Sequence, residues 1–272
     1  MSPLPQYLSA RAKHGSSGLR VACSLMCYLP LITFSAEPDG RLFQPRRAWL
    51  ERYDSTLLSS RLATEFSWEH SDPDTDAFTL ENSLRWGIPL SENYTLGLQT
   101  IVPTKWVEHD GQQQEGLGDW ELRMGLVSRH SPQLRYGGGV TAVLDTADDP
   151  MLGDGAFLLK PSVGIGWEIH DKLTLGLNVQ YSFMPQEESA RDVSTWEIKF
   201  PVIFRLSDQW SAFVSFHQRW NLLEESDRQR VEFSTSCSFG RDREYEWSVG
   251  GELPLSSQSL ECKWRTGFTW FF

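Results

Sequence analysis

The sequence has little of what several protein classes require. Its four cysteines show no paired spacing, which excludes a disulfide scaffold and gives no zinc signature. Lys and Arg number 25 against 36 Asp and Glu, and a net charge of -11 argues against nucleic acid as a partner. Past the N-terminus no run approaches the ~20 apolar residues of a transmembrane helix. What the chain does have is aromatic residues, with 12 Trp, 15 Phe and 7 Tyr among 272 residues.

The N-terminal residues 1–36 are predicted to be a secretory signal peptide. Arg11, Lys13 and Arg20 precede one short apolar run, 21–34, and small residues follow it. The run is short for a bilayer-spanning helix, so an uncleaved anchor is the weaker alternative.

Residues 37–59 differ in pattern from the rest of the chain. An amphipathic stretch after Pro45, with Trp49 and Tyr53, could form one short helix. We predict that 37–59 is a periplasmic lead-in or a short plug helix.

From Ser60 onward, apolar and polar residues alternate in one segment after another. In 174–183 (TLGLNVQYSF) every second residue is apolar, as is typical of a strand with one apolar face. Segments of roughly 10–13 residues have the length that a tilted membrane-spanning strand needs. The prediction is an all-β fold, a transmembrane antiparallel up-and-down β-barrel of about 12 strands over residues 60–272. The strands are expected near 60–70, 77–88, 94–107, 118–130, 134–145, 156–169, 173–183, 193–206, 210–221, 229–239, 245–255 and 260–272.

The connections between these segments alternate in length. Short polar turns are predicted at 131–133, 170–172 and 207–209. Short turns at one end and long loops at the other are typical of outer-membrane barrels. The longer, acidic loops are predicted at 108–117, 146–155, 184–192 and 222–228.

Tryptophans are sorted toward the two ends of the predicted strands. Amphipathic rings prefer the headgroup level of a membrane, so two aromatic belts are expected. Packing in a soluble core is the alternative, but a core would not sort Trp to the strand ends. The loop-end belt would hold Trp68, Trp106, Trp120, Trp196 and Trp220, and the turn-end belt Trp86, Trp167, Trp210, Trp247 and Trp270.

The last predicted strand alternates and ends on Phe272. A C-terminal strand that finishes in Phe resembles the signal by which bacterial outer-membrane barrels are recognised, which implies the barrel-assembly machinery as a partner. Cys237 and Cys262 fall on the lipid-facing phase of strands that are not neighbours, so both are predicted to be free thiols.

Charged residues occupy the polar phase of the strands near their middle. Because charge faces lipid only at high cost, these side chains are expected to line the barrel interior. They could form an ionic network that stiffens the wall, or select solutes in a pore. The acidic outer loops would favour a weak preference for cations at the mouth. The lumen-lining candidates are Glu65, Glu81, Glu121, Arg123, Lys160, Glu197, Lys199 and Arg265.

No enzyme site is predicted, although the sequence contains two pairs of reactive side chains. Ser215 and His217 share one phase of one strand, without an identifiable Asp or Asn to orient the histidine. Glu65 and Glu81 could form a carboxylate pair on adjacent strands. No cofactor and no metal ligand set is predicted, since the acidic loops show no fixed ligand spacing.

A predicted long loop precedes the run Gly-Leu-Gly-Asp-Trp-Glu-Leu-Arg-Met-Gly-Leu at 116–126. The motif Ile-Val-Pro-Thr lies before that loop, at 101–104. With these motifs, residues 60–272 resemble a group of proteobacterial outer-membrane proteins labelled MetA-pathway of phenol degradation, or transporter. The resemblance implies uptake of small, aromatic or hydrophobic solutes.

Taken together, the patterns predict a bacterial outer-membrane barrel that acts as a passive channel or transporter for small solutes. Its partners would be outer-membrane lipid and lipopolysaccharide. Two alternatives stay open: a closed structural or surface-interaction barrel, and a lipid-modifying outer-membrane enzyme.

Overall fold

The computed structural model describes residues 58–71, 75–185, 193–241, 243–255 and 262–272. The predicted signal peptide and all but the last two residues of 37–59 lie outside these ranges. The thirteen strands are β1 (Arg61–His70), β2 (Thr75–Pro89), β3 (Tyr94–His109), β4 (Gln112–Leu117), β5 (Glu121–Arg129), β6 (Leu134–Val143), β7 (Leu158–His170), β8 (Leu173–Phe183), β9 (Ser194–Arg205), β10 (Trp210–Asn221), β11 (Ser226–Phe239), β12 (Tyr245–Pro254) and β13 (Cys262–Phe271).

The strands close into one antiparallel barrel. Each of the twelve long wall strands pairs with its neighbours in the sequence, and β1 pairs with both β2 and β13. Among the described strands, the short strand β4 pairs only with the outer half of β3. Closure removes every free sheet edge from the wall, as a barrel in lipid requires. The predicted twelve-stranded, up-and-down barrel is confirmed.

The segment 108–117 is not the long loop that the sequence suggested, and the strand predicted at 118–130 begins only at Glu121. β3 and β4 form a hairpin around Asp110 and Gly111, whose φ angles of 51° and 75° are the positive values of a two-residue hairpin turn. The Asp-Gly pair was the signal for this turn. β4 and β5 both pair with β3, one after the other, and are separated by an interruption at 118–120.

That interruption is a β-bulge. Leu117 pairs with Thr104 and Glu121 pairs with Ile101, so three residues of the chain oppose two residues of β3. One extra residue bends the strand and re-aims a side chain. In this barrel the bulge contains Asp119, which is buried.

Three of the short turns share the same backbone hydrogen-bond pattern. In 90–94, 130–134 and 206–210, two successive backbone N–H groups donate to the carbonyl of the fifth residue. A serine at the second position, such as Ser207, accepts hydrogen bonds from the backbone that follows it. Serine side chains commonly stabilise turns in this way. We call the barrel end that carries these turns the turn end, and the opposite end the loop end.

The outer face of the barrel is apolar. On β7, for example, Val163, Ile165, Trp167 and Ile169 are all exposed, with Val163 at 61%. A contiguous apolar surface of this extent belongs against lipid rather than water. The described residues contain no helix that is long and apolar enough to cross a membrane.

The two thiols lie where the alternation predicted. Cys237 pairs in register with Trp210 and Trp247, and Cys262 with His70, so β12 separates the two cysteine-bearing strands. Both cysteines are free, which confirms that prediction.

Candidate functional site: a charged cavity through the barrel

A cavity of about 830 Å³ occupies the barrel interior. At the turn end its lining includes Leu58 and Arg61, the first residue of β1; at the loop end it includes Asp154, Met184 and Val193. The cavity therefore extends along the barrel from one end to the other. Among the described residues, its basic lining residues are Arg61, Arg85, Arg123, Lys160, Lys199, Arg219, Arg230 and Arg265, and its acidic ones are Glu121, Asp154, Glu197, Glu232 and Glu252.

Six of the eight lumen-lining candidates from the sequence line this cavity. They are Glu121, Arg123, Lys160, Glu197, Lys199 and Arg265. The other two, Glu65 and Glu81, are directly opposite each other on β1 and β2. They share the inward phase of the wall with Arg61 and Arg85 but do not border the cavity.

An ion-pair network covers the wall formed by β9 to β13. Arg230 reaches Glu197 at 2.8 Å and Glu252 at 3.2 Å. Lys199 lies 3.2 Å from Glu197, and Arg265 pairs with Glu232. Each of the three acids therefore has a base beside it, since Glu252 also lies 3.8 Å from Arg265. Such pairing limits the cost of placing charge in a partly buried wall.

His217 lies within this network rather than in a catalytic pair with Ser215. Its Nε2 is 2.9 Å from Glu232, and its Nδ1 is 3.7 Å from Glu197 and accepts from Arg230 at 3.3 Å. Ser215 Oγ has no hydrogen-bond partner among the residues that the structure describes. Within the part of the chain that the structure describes, no base lies within hydrogen-bond distance of this hydroxyl, as nucleophilic activation would require.

Asp119 organises the loop between β6 and β7. Its Oδ1 accepts hydrogen bonds from the backbone N–H groups of Thr146 and Ala147, both at 3.0 Å, and its Oδ2 accepts from Asp154 N at 2.5 Å. A carboxylate that accepts three backbone donors holds a loop in one conformation. The side chain of Asp119 therefore positions Asp154 at the cavity mouth.

Two glycines in the sequence run 116–119 make room for the same loop. A Cβ on Gly116 would come within about 3 Å of Leu152 and Asp148, and a Cβ on Gly118 would lie 3.0 Å from the Leu152 carbonyl. Leu152 itself is fully buried, and Asp148 accepts from Leu117 N at 2.7 Å. The Gly-Leu-Gly-Asp run is therefore a docking site for the 144–157 loop. No sequence signal connected the two segments.

A second pair of glycines receives the chain just before β1. Gly87 and Gly97 are register partners on β2 and β3. A Cβ on Gly97 would meet the Leu58 side chain at 2.7 Å, and one on Gly87 would overlap the Leu58 carbonyl. Leu58 thus lies inside the barrel against this recess, at the turn end of the cavity.

Nine of the ten tryptophans of the predicted belts lie on the outer phase of their strands, and the tenth, Trp120, lies in the interruption between β4 and β5. Trp196 and Trp220 are register partners near the loop end, and Trp68 is opposite Trp264, which the sequence analysis left out. Trp68 and Trp106 are half-buried. The exposed members are Trp86, Trp120, Trp167, Trp196, Trp210, Trp220, Trp247 and Trp270.

Within the described ranges, no group of three or more His, Cys, Asp or Glu side chains is arranged to hold a metal ion.

Solved structures share this architecture at low sequence identity. The COG4313 outer membrane channel from Pseudomonas putida F1 superposes with a TM-score of 0.67 at 12% identity, over 81% of this chain and 98% of that one. The NanC porin gives 0.55 at 8% identity, over 77% and 98%. The translocator domain of the autotransporter NalP from Neisseria meningitidis gives 0.50 at 12%, over 94% and 98%.

No family model matches the chain, and no curated protein matches it. The closed wall, the apolar outer face and the likeness to these structures define the class: the protein has the fold of the outer-membrane β-barrels.

Proposed function

We propose that the protein is a passive channel for small hydrophilic solutes. The observation that carries this proposal is the cavity, which extends between the two ends of a closed barrel and is lined by charged and polar side chains. A water-filled path of this kind lowers the cost of moving a polar solute across lipid. The charged lining favours hydrophilic solutes over the aromatic ones that the family resemblance implies.

The same proposal implies three partners for the barrel: outer-membrane lipid, lipopolysaccharide and the barrel-assembly machinery. Outer-membrane lipid and lipopolysaccharide would contact the apolar outer face and the exposed tryptophans. The barrel-assembly machinery would recognise β13, in which Trp270 is exposed on the outer face, together with the exposed Phe272 just after the strand.

Narrowing the cavity should reduce its conductance. A Cβ on Gly125 would meet only Gly138 O at 3.5 Å and Gly139 Cα at 3.9 Å, and Gly125 lines the cavity, so we expect the ring of Gly125→Phe to enter the cavity. The neighbouring Leu126 faces outward and is exposed, so Leu126→Phe places the same ring in lipid. In planar bilayers we expect Gly125→Phe to lower single-channel conductance and Leu126→Phe to leave it unchanged.

If the wild-type protein inserts into bilayers and conducts no ions, the channel proposal fails. The closed structural barrel, sealed by the ion-pair network and by the segment before β1, would then take its place. Equal conductance of wild type and Gly125→Phe would also count against a path through this cavity.

A further inference from the structure

The described lining of the cavity has the opposite net charge to the chain. It holds eight bases and five acids, whereas the whole sequence has a net charge of -11. With His217 neutral, the lining carries an excess of three positive charges. A narrow, low-dielectric cavity strengthens the field of its wall charges, so this excess acts on any solute inside.

Four of the bases belong to one continuous row. Register pairing connects Arg61 to Arg85, Arg85 to Gln99, Gln99 to Arg123, Arg123 to Thr141 and Thr141 to Lys160, across six neighbouring strands. All six side chains line the cavity. Adjacent strands lie about 4.8 Å apart, so successive bases of this basic row are roughly 5–10 Å from one another.

The basic row leads from one end of the barrel to the other. Arg61 opens β1 at the turn end, while Lys160 is the third residue of β7 and lies near the loop end. Successive register partners are displaced along the barrel axis because barrel strands are tilted and staggered. A solute that moves along the row therefore has a base within reach at each stage of its passage.

The wall beside the row is recessed. Gly125 and Gly139 are register partners, each two residues from a member of the row and on the same inward phase. Gly97, the next in register, is covered by the Leu58 side chain. Glycine has no side chain, so a trough is left next to the bases. Gln99 adds a polar group to the row and accepts from Arg85 at 2.7 Å.

The acids are placed differently from the basic row. Glu197, Glu232 and Glu252 belong to the ion-pair network on β9 to β13, where Lys199, Arg230 and Arg265 are beside them. Glu121 contacts the row through Arg123, whose Nε and Nη2 both donate to Glu121 Oε2, at 3.0 and 2.5 Å. The negative charge of the lining is thus mostly compensated on one wall.

We propose that the channel prefers small organic anions, with the basic row as the path for their carboxylate groups. Guanidinium and ammonium groups bind carboxylates through charge-assisted hydrogen bonds. A series of moderately spaced bases suits transport, because each must bind weakly enough to release the solute to the next. This inference rests on the proposed channel function, and it is opposite to the cation preference expected from the acidic loops.

The reversal potential of the full mature protein in a potassium chloride gradient tests the inference. We expect chloride to permeate more readily than potassium, and succinate added to one side to reduce the chloride current. Lys160→Gln should shift the reversal potential toward zero. The matched control Lys172→Gln changes an exposed residue of the β7–β8 turn, outside the cavity lining, and should leave the reversal potential unshifted.

The two proposals fail in different ways. A conducting wild-type channel that prefers potassium would overturn the anion inference and leave the channel function intact. An equal shift in Lys160→Gln and Lys172→Gln would show that the basic row is not the selective element. The absence of any conductance would remove the channel function itself.

Discussion

A single carboxylate determines the shape of the cavity mouth. Asp119 lies in the bulge between β4 and β5, and its two oxygens hold residues 146, 147 and 154 by their backbone N–H groups. Hydrogen bonds to a charged group contribute about 1.5–3 kcal/mol each. This one side chain therefore accounts for much of the local stability of the 144–157 loop.

Removing that carboxylate should release the loop without unfolding the barrel. For Asp119→Ala we expect faster hydrogen exchange at the amides of Thr146, Ala147 and Asp154, by roughly tenfold for each ~1.4 kcal/mol lost. Asp145→Ala is the control, since Asp145 is an exposed acid of the same loop. Unchanged exchange at these three amides in Asp119→Ala would contradict the assigned role.

At the scale of elements, the hairpin of β3 and β4 depends on a backbone conformation rather than on packing. Gly111 has a φ of 75°, and a Cβ built on it would meet nothing within 4 Å. Space is therefore not the constraint. The positive φ is the constraint, because β-branched residues adopt it only at a cost of about 1–3 kcal/mol.

Two substitutions at this position separate conformation from size. Gly111→Val should open β4 locally and speed protease cleavage or hydrogen exchange within 112–117. Gly111→Asn should behave nearly as wild type, since Asn tolerates the left-handed region. Thermal unfolding of the barrel should not change in either variant, because β4 pairs only with β3. Equal protection of 112–117 in both variants would refute the argument from φ.

The strand boundaries show what local pattern can predict. β8 and β10 begin and end at the predicted residues, because alternation runs through each strand and a short polar turn precedes it. β11 begins at Ser226 instead of near 229, and the predicted loop 108–117 forms a hairpin. In both regions the strands extend beyond the alternating segment, where cross-strand hydrogen bonds rather than hydrophobic pattern define the element.

At the scale of the whole molecule, the connections between strands indicate which end of the barrel faces which side of the membrane. The turn end carries the first residue of β1 and the C-terminus, and the loop end carries 144–157. We expect the N-terminus to be periplasmic, which would place the loop end on the outside of the cell. Charged outer loops and short inner turns fit the usual arrangement in outer-membrane barrels.

Cysteine labelling in intact cells tests this orientation. Asp149→Cys, in the loop between β6 and β7, should react with a membrane-impermeant maleimide. Asp208→Cys, in the turn between β9 and β10, should react only after the outer membrane is permeabilised. The unsubstituted protein supplies the background from Cys237 and Cys262. Equal labelling of the two variants in intact cells would reject the orientation.

The sequence by itself determined the class of fold and the facing of each strand. In a strand, alternate side chains lie on opposite faces of the sheet. Because the outer face of a membrane barrel contacts lipid, the apolar side chains must face outward and the polar ones inward. This is why six of the eight lumen-lining candidates could be found on the cavity from the alternation alone.

Only the tertiary structure decided how the inward charges are grouped. Alternation gives the face of a residue but not its neighbours, which depend on the register and stagger of strands far apart in the sequence. Strand register placed four bases in one row on β1 to β7, namely Arg61, Arg85, Arg123 and Lys160. It placed Glu197, Glu232 and Glu252 beside other bases on β9 to β13. It also brought Asp119 to a loop about thirty residues away, since a bulge redirects a side chain toward a partner that no local pattern identifies.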